Sequence, residues 1–201
     1  IARALAVRPE LLLLDEPTSN IDPESIRAIE AALREANSRG TTILMSTHNL
    51  ATAYRLASRV LPMTDGLILD DPNNVFHGRV DHTDEYFTYF AVGPQTEDSA
   101  AANPNIGPNV LAPARKEPAE AAVIPMDDII VSRERIESSA QNHFAGRVEA
   151  VVPYAGGRRV DVDSNGVMLS ALVTRYAVEQ LALGPGEQVH IAFKASAVKL
   201  Y

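Results

Sequence analysis

The sequence predicts an α/β layer with a parallel sheet, followed by a small all-β barrel. Residues 11–14 are four consecutive leucines, a short unbroken apolar run typical of a strand buried on both faces of a parallel sheet. Strand and helix patterns then alternate up to Ser58, which is the order of a parallel α/β layer. From Asp128 onward, short apolar segments separated by turn residues at regular spacing favour a small barrel.

The first part of the chain contains clear helix start and stop signals. Asp22 is suited to cap a helix, Pro23 fits its first turn, and Gly40 fits its left-handed C-terminal cap. The predicted elements are the end of a helix at 1–8, a strand at 11–15, a helix from 22 to 40, a strand at 41–45 and a helix at 49–58.

In the rest of the chain, the sequence predicts β strands that are irregular up to residue 127 and regularly spaced from residue 128. Thr64-Asp65-Gly66 is a hairpin turn between apolar segments at 60–63 and 67–69. The stretch at 93–108 is rich in Pro, Asn, Ala and Ser and predicts a mobile loop. The predicted barrel elements are strands at 129–131, 144–152, 160–162, 167–173 and 189–193, and a short helix at 174–181. We therefore expect a first domain over 1–79, a linker with irregular β segments over 80–127, and a barrel over 128–201.

Composition excludes several classes of function. A net charge of −8 and a pI near 5.1 argue against binding to nucleic acid, because proteins that bind nucleic acid carry a basic patch or stripe. The absence of cysteine excludes disulfides, thiolate zinc sites and a thiol nucleophile. No apolar run reaches the roughly 20 residues of a membrane-spanning helix, so any membrane association is expected to come through a partner. Because the chain begins at Ile1 rather than Met, we expect it to be a piece of a longer protein.

Two adjacent acids, Asp15 and Glu16, follow the leucine run at the point where the predicted strand leaves the sheet. Ligands of open α/β sheets bind at this carboxyl end. One carboxylate there can hold a hydrated Mg²⁺, and the other can orient and deprotonate a water molecule. The pair is therefore a candidate site for metal-assisted hydrolysis.

Four segments, in this order, resemble the ATPases of ABC transporters. Residues 11–16 resemble their Walker B motif, and Ser19-Asn20-Ile21-Asp22 resembles their D-loop. Ser46-Thr47-His48 resembles their switch-histidine loop, and residues 1–5 resemble the helix that follows the ABC signature. The resemblance implies part of a P-loop NTPase domain that uses ATP and Mg²⁺.

The same resemblance implies a role for each matched residue. Asp15 is expected to bind Mg²⁺ through water, and Glu16 to act as the general base on the attacking water. His48 is expected to contact the γ-phosphate of ATP, and Asp22 to act across the interface of a dimer. These roles suit phosphoryl transfer, which needs placement and charge neutralisation more than covalent help.

Two motifs of this family do not occur in the 201 residues. There is no Gly-x-x-x-x-Gly-Lys-Ser/Thr, the loop that cradles phosphates, and no Ser-Gly-Gly signature segment. We therefore expect that these residues alone neither bind ATP tightly nor hydrolyse it.

A second resemblance concerns the barrel. Ser-Ser-Ala-Gln-Asn at 138–142 and Phe-Lys-Ala-Ser-Ala-Val at 193–198 resemble a Mop-type TOBE domain, a five-stranded OB-like barrel that binds molybdate or tungstate. The resemblance implies that Ser139, Thr174 and Lys194 hold the oxyanion, through short hydrogen bonds from hydroxyls and a cation. Ser196 is a weaker match.

Two residues depart from the Mop pattern. Gln141 stands where the motif has Arg, and Ala177 where it has a hydroxyl. Losing a guanidinium removes a charge and a bidentate donor. A purely structural barrel, with Ser139 and Thr174 as caps and Lys194 as a solvated charge, therefore remains an alternative to an anion site.

Together the resemblances imply the ATP-hydrolysing subunit of an ABC importer for tungstate or molybdate. They imply a homodimer of ATPase subunits bound to transmembrane permease subunits, with a solute-binding protein acting indirectly, at the cytoplasmic face of the plasma membrane. One alternative is an importer of sulfate, a sugar or a polyamine, and another is a non-catalytic oxyanion-binding regulator. A DNA-repair or chromosome ATPase shares the acidic strand end, but the acidic net charge counts against it.

Overall fold

The computed structural model describes residues 1–93 and 109–201, and these form two compact units. The first unit is Ile1–Val60 and the second is Leu61–Tyr201. The sequence predicted that the first domain ends near residue 79, so the boundary between compact units lies earlier than expected. The predicted mobile loop lies, apart from Gly93, outside the described residues.

The first unit contains three helices and two parallel strands. Its elements are α1 (Ala2–Ala6), β1 (Leu11–Asp15), α2 (Pro23–Ser38), β2 (Thr42–Ser46) and α3 (Leu50–Leu56). In the parallel register Leu11 lies opposite Thr42, and Asp15 lies opposite Ser46. The carboxyl ends of both strands therefore lie side by side, which confirms the predicted strand–helix–strand–helix order.

Helix α2 begins and ends as the sequence predicts. The Asp22 carboxylate accepts the backbone N–H groups of Glu24 (3.1 Å) and Ser25 (2.9 Å), and Pro23 occupies the first helical position. Gly40 follows the helix with φ of +97°, a left-handed conformation that glycine adopts without a steric penalty.

The leucine strand is not buried on both faces by the described residues, which corrects the prediction. Side chains alternate between the two faces of a strand. Leu12 is 5% exposed, whereas Leu11 and Leu13 are 54% and 65% exposed. Leu44 of the neighbouring strand is also exposed. Within the described residues the sheet has two strands and one covered face.

The second unit begins with the predicted hairpin. Strands β3 (Met63–Thr64) and β4 (Leu67–Ile68) pair across Asp65 and Gly66, which both have positive φ as a type I′ turn requires. The following strands are β5 (Asn73–Thr83), β6 (Phe87–Val92), β7 (Asn109–Pro113), β8 (Ala121–Pro125), β9 (Ile130–Ser132), β10 (Asn142–Tyr154), β11 (Gly157–Ser164), β12 (Val167–Val173), β13 (Gln188–Phe193) and β14 (Lys199–Leu200). Helix α4 (Arg175–Gln180) and two 3₁₀ turns (Met126–Asp128 and Ala195–Ala197) complete the unit.

These strands form two five-stranded antiparallel sheets. The first has the order β14-β8-β5-β6-β7, and the second has the order β9-β13-β10-β11-β12. Buried side chains of both sheets, such as Phe90 of the first and Val162 of the second, belong to one hydrophobic core. The predicted β character of the C-terminal part is confirmed.

The predicted linker over 80–127 is corrected by this arrangement. In the described residues the segment contains the C-terminal end of β5 and all of β6, β7 and β8, which pair in the first sheet. Strands β5 and β6 bury mainly alternate side chains, so their sequences mix apolar residues with His, Asn and Thr. The core therefore draws on residues well before 128, where the barrel was predicted to begin.

The two sheets repeat each other in sequence and register, a feature that the sequence analysis missed. Residues 74–81 read Asn-Val-Phe-His-Gly-Arg-Val-Asp, and residues 142–149 read Asn-His-Phe-Ala-Gly-Arg-Val-Glu. The β5–β6 register shifts between Val80 and His82, and the β10–β11 register shifts at the matching place, between Val148 and Ala150. The unit is therefore a tandem repeat of one five-stranded sheet.

Each half of the repeat gives its last strand to the other half. Strand β9 follows the first half but pairs with β13 of the second half. Strand β14 follows the second half but pairs with β8 of the first. These two pairings occupy equivalent places in the repeat. Ile130 lies opposite Ala192 in one sheet, and the equivalent residues Lys199 and Val123 lie opposite each other in the other sheet.

Two buried asparagines join the sheets in a second matching way. Asn142 of β10 binds both backbone groups of Leu111, with its oxygen 2.7 Å from the Leu111 nitrogen and its nitrogen 2.9 Å from the Leu111 oxygen. Asn74 of β5 binds both backbone groups of Ser170 at 2.7 and 2.9 Å. Each side chain satisfies backbone groups of an edge strand that have no ladder partner on that side, and such buried groups are costly to leave unpaired.

We predict that Gly146→Ala destabilises the protein. A Cβ at Gly146 would lie 2.6 Å from the carbonyl oxygen of Asp163, a backbone atom that cannot move aside. Overpacking of this kind costs about 1–3 kcal/mol, and thermal or urea unfolding measures it. Gly184→Ala is the control, because no atom lies within 4 Å of the added Cβ. Equal stability of the two variants would contradict the close approach.

Candidate functional site

Residues from the ends of β1 and β2 form one polar cluster in the first unit. Asp15 and Glu16 end β1, and Ser46, Thr47 and His48 end β2, so the parallel register brings them together. The Ser46 hydroxyl donates a hydrogen bond to Asp15 Oδ1. The cluster lies at the carboxyl end of the sheet, where ligands of open α/β sheets bind.

The backbone of Glu16 turns the chain sharply as it leaves β1. Its φ is +46°, a left-handed conformation that costs a residue other than glycine roughly 1–2 kcal/mol. Two backbone hydrogen bonds hold it. The Glu16 N–H donates to the Ser46 oxygen (3.0 Å), and the Glu16 oxygen accepts from the Ser19 N–H (3.1 Å). Backbone strain of this kind is concentrated at functional sites.

The Glu16 carboxylate is held by four groups of its own chain. Its Oε1 accepts from the backbone N–H of His48 at 2.9 Å and lies 2.8 Å from the His48 Nδ1. Its Oε2 accepts from Ser19 Oγ at 3.0 Å and, more weakly, from Thr47 Oγ1 at 3.4 Å. Since a carboxylate only accepts, the fitting tautomer of His48 carries its hydrogen on Nδ1.

These contacts keep Glu16 ionised. The hydrogen bond from the His48 side chain is the largest cause that lowers the pKa of Glu16 below its ordinary value, and the Ser19 hydroxyl adds to it. The carboxylate is therefore the form present at neutral pH, as a general base requires. Its acceptor positions are filled by the protein, so this carboxylate can bind a water molecule only after one of these contacts opens.

Asp22 lies outside this hydrogen-bonded cluster. Its carboxylate caps α2, and the N–H of Ser25 is the main cause that lowers the pKa of Asp22. The predicted action of Asp22 across a dimer interface stays a prediction.

The oxygen donors at this site fit a loosely held magnesium ion. Among the described residues, no group of three or more His, Asp or Glu side chains is arranged to hold a metal. Mg²⁺ bound with a nucleotide does not need such a group, because it keeps several waters and takes one or two protein ligands. The Asp15 carboxylate and the Ser46 hydroxyl could supply them.

A second candidate site lies in the second unit, in a cleft of about 350 Å³. One wall carries Ser139, Gln141, Lys194 and Ser196, all from the loops that the sequence singled out. The other wall carries Tyr86, Phe87 and Pro113, from the first half of the repeat. The cleft therefore lies between the two halves.

Two of the three residues predicted to hold an oxyanion face this cleft. In the described part of the chain, neither the Lys194 ammonium nor the Ser139 hydroxyl is engaged in a hydrogen bond or ion pair. Gln141 links the two loops, because its Nε2 donates to the Ser139 oxygen (2.8 Å) and its Oε1 accepts from the Ala195 N–H (2.9 Å). Thr174 does not line the cleft and instead caps α4 through the Ala177 N–H at 3.1 Å.

Several contributing residues were not predicted. The hydroxyls of Ser19 and Thr47 hold Glu16, and both follow strand ends within the recognised motifs, so their position was the available signal. Tyr86 and Phe87 belong to the stretch that the sequence analysis treated as linker. The repeat of Asn-x-Phe-x-Gly-Arg-Val would have placed that stretch in the fold.

Comparisons with known proteins find relatives of both parts of the chain. Residues 138–200 match the family model of the TOBE domain, and residues 1–53 match a model described as "AAA domain, putative AbiEii toxin, Type IV TA system". The Molybdate/tungstate import ATP-binding protein WtpC of Pyrococcus abyssi is 31% identical to this chain over 208 aligned residues. That alignment covers 100% of this chain and 59% of the relative. The chain thus has a first region similar to part of an ATP-binding import protein and a last region that matches the TOBE domain.

Further relatives extend this result. WtpC of Pyrococcus horikoshii is also 31% identical, with the same coverage, so the chain spans about 59% of the length of the curated relatives that it matches. A crystal structure of ModG, a cytoplasmic molybdate-binding protein, matches 63% of this chain and 94% of its own with a TM-score of 0.50 at 23% identity. This likeness shows that a region larger than the TOBE match shares the fold. No helix in the described parts of the chain is both long and apolar enough to cross a membrane.

We predict that His48→Ala raises the pKa of Glu16. The His48 side chain is the main cause of the lowered pKa in the ATPase region, so its removal returns the pKa toward the ordinary value of 4.5. Titration of ¹³C-labelled glutamate carboxyls by NMR measures the change. His82→Ala is the control, because that ring bonds Asp81 and has no bond to Glu16. An unchanged Glu16 pKa in the His48 variant would contradict this assignment.

Proposed function

We propose that this protein is the ATP-hydrolysing subunit of an importer for a tetrahedral oxyanion, molybdate or tungstate. The observation that carries the ATPase part is the Glu16 carboxylate, ionised and bonded to His48 at the carboxyl ends of two parallel strands. The choice of solute rests on the alignment of the whole chain with two proteins named as molybdate/tungstate importers.

Each residue of the cluster has a distinct task in this proposal. Glu16 orients a water molecule and takes its proton, and it is already ionised to do so. His48 holds Glu16 through its backbone N–H and its ring, and its exposed ring can move toward a terminal phosphate. Asp15 and Ser46 are the oxygen donors for Mg²⁺, which neutralises phosphate charge when it is bound.

The hydrogen bond between His48 and Glu16 links ligand binding at His48 to the availability of Glu16 as a base. A carboxylate has about four acceptor positions, and all four face groups of the chain. A ligand that draws the His48 ring away leaves one position of Glu16 free for water. The base then becomes available only when the ligand is present.

The proposed surroundings of the protein follow from this activity. It acts as a homodimer of ATPase subunits, with Asp22 near the interface. It is bound peripherally to transmembrane permease subunits at the cytoplasmic face of the plasma membrane. A solute-binding protein takes part indirectly, by delivering the oxyanion to the permease.

The TOBE domain holds the oxyanion in the cleft between Ser139 and Lys194. The Lys194 ammonium faces the cleft and has no partner among the described residues, and hydrogen bonds from a cation to an oxyanion are short and strong. Thr174, predicted as a third contact, caps α4 and is not needed in this cleft. Binding there would let the level of imported anion act on the ATPase.

We predict that Glu16→Gln in the full-length protein lowers kcat for ATP hydrolysis by about 10²-fold or more, because general-base catalysis contributes about 10²–10⁴-fold. Steady-state phosphate release measures it. Glu35→Gln is the control, since Glu35 forms an exposed ion pair with Arg39 on α2 and such pairs contribute little. Unchanged turnover in the Glu16 variant would favour the non-catalytic oxyanion-binding regulator.

We predict that Lys194→Met weakens molybdate and tungstate binding by about 10-fold or more, the equivalent of a charged hydrogen bond of about 1.5–3 kcal/mol. Calorimetric titration of the full-length protein with molybdate, tungstate and sulfate measures it. Lys199→Met is the control, because Lys199 lies on β14 and does not line the cleft. Tighter binding of sulfate than of molybdate would favour the importer of another solute. No binding of any of these anions would leave the barrel as a structural domain.

A further inference from the structure

The tandem repeat places a counterpart of the oxyanion cleft elsewhere in the second unit. Asn142 lies opposite Phe193 in the second sheet, and Asn74 lies opposite Ile124 in the first. Counting along the aligned strands and loops, Asp71 corresponds to Ser139, and Asn73 to Gln141. Likewise Pro125 corresponds to Lys194, and Asp127 to Ser196. We call Asp71, Pro125 and Asp127 the twin position.

The local structure supports this correspondence. A 3₁₀ turn begins directly after Pro125 and directly after Lys194. The N–H at the first residue of each turn is bonded to the preceding loop of its own sheet. Met126 donates to the Pro72 oxygen (2.9 Å), and Ala195 donates to Gln141 Oε1 (2.9 Å). Both positions therefore place a 3₁₀ turn beside the loop that precedes the asparagine strand, and they differ in their side chains.

The side chains at the twin position oppose an anion. Where the cleft has the hydroxyl of Ser139, the twin position has the carboxylate of Asp71, which is half-buried and accepts from the backbone N–H (3.0 Å) and the amide (2.7 Å) of Asn73. Where the cleft has the ammonium of Lys194, the twin position has the ring of Pro125. Two carboxylates replace two hydroxyls, and like charges repel an oxyanion.

The twin position gains two arginines, and these do not restore an anion site. Val162 pairs with Val148 in the second sheet, and Phe90 pairs with Val80 in the first, so Val162 and Phe90 are equivalent in the repeat. Counting back from them, Arg158 and Arg159 correspond to Tyr86 and Phe87. Arg159 is committed to Asp161, with its Nε 2.9 Å from Oδ1. Arg158 donates to the oxygen of the adjacent Gly157 at 2.9 Å. Asp161 therefore pairs with the Arg159 charge, and the Arg158 guanidinium is hydrogen-bonded to the adjacent backbone oxygen.

We propose that the two halves of this repeat have diverged into one working anion position and one closed position, so that each chain binds a single oxyanion. Asp71 is the residue that closes the twin position, and the absence of an ammonium at Pro125 reinforces the closure. This inference rests on the proposed binding of oxyanion by the Ser139–Lys194 cleft. It adds the stoichiometry and the residues that determine it.

Equilibrium dialysis of the full-length protein against molybdate, with bound molybdenum measured by elemental analysis, tests the stoichiometry. We expect one molybdate per chain in the unchanged protein. Two per chain, or one per two chains, would overturn this inference and leave the proposed anion binding in place. No bound molybdate would overturn both.

Variants locate the anion. Ser139→Asp places at the cleft the carboxylate that closes the twin position, so bound molybdate should fall from one per chain to none. Asp71→Ala should leave it at one per chain. Molybdate retained by the Ser139 variant, or lost from the Asp71 variant, would show that the anion lies elsewhere and would overturn the inference.

A combined variant tests the reverse change. Asp71→Ser, Pro125→Lys and Asp127→Ser together give the twin position the side chains of the cleft, and we expect two molybdates per chain. Circular dichroism and thermal unfolding establish whether this variant is folded. A folded variant that still binds one would show that these three residues do not close the position.

Discussion

The second unit depends on the exchange of its last strands. Strand β9 leaves the first half to pair with β13, and β14 leaves the second half to pair with β8. Neither half completes five strands with its own residues, so each sheet is completed by a strand of the other half. Asn74 and Asn142 strengthen this dependence, because each satisfies backbone groups of the opposite half.

The cleft is also built from residues of both halves. Ser139 and Lys194 come from the second half, whereas Tyr86 and Phe87 come from the first. A site built between two halves exists only while both are folded and correctly paired. Conversely, a ligand that binds there stabilises the joined state by mass action. Under the proposed function, anion binding and the integrity of the domain would therefore be linked.

The ATPase region shows how much of a site local sequence can predict. The leucine run, Asp15, Glu16 and His48 were identified from the sequence because each lies in a short motif, and the motifs follow one another in the expected order. The capping of α2 by Asp22 was equally local. The exposure of Leu11 and Leu13 was not predictable, since the covering of a strand face depends on other elements that four leucines do not specify. The hydroxyl contacts to Glu16 accompany its left-handed backbone conformation, which none of the sequence motifs predicts.

The β part of the chain was harder to predict, for physical reasons. Strands of a half-buried sheet alternate apolar and polar residues, so β5 does not look like a continuous apolar run. Their partners lie far along the chain, and β14 pairs with a strand more than 70 residues earlier. Only the repeated Asn-x-Phe-x-Gly-Arg-Val segment indicates, from the sequence, that these distant strands belong to two related sheets. Its two glycines are held by close backbone contacts at Ala91 and Asp163.

Gln141 shows how the cleft can lose a charge and keep its shape. Its amide donates to the Ser139 oxygen and accepts the Ala195 N–H, so it holds the two anion-facing loops together. An arginine has no acceptor and could not satisfy that N–H, although it would add a charge. Lys194 is then the one cation that lines the cleft among the described residues. In the proposed anion site, affinity for a dianion would come largely from a single ammonium and nearby hydroxyls, so we expect binding to depend strongly on the loop spacing that Gln141 maintains.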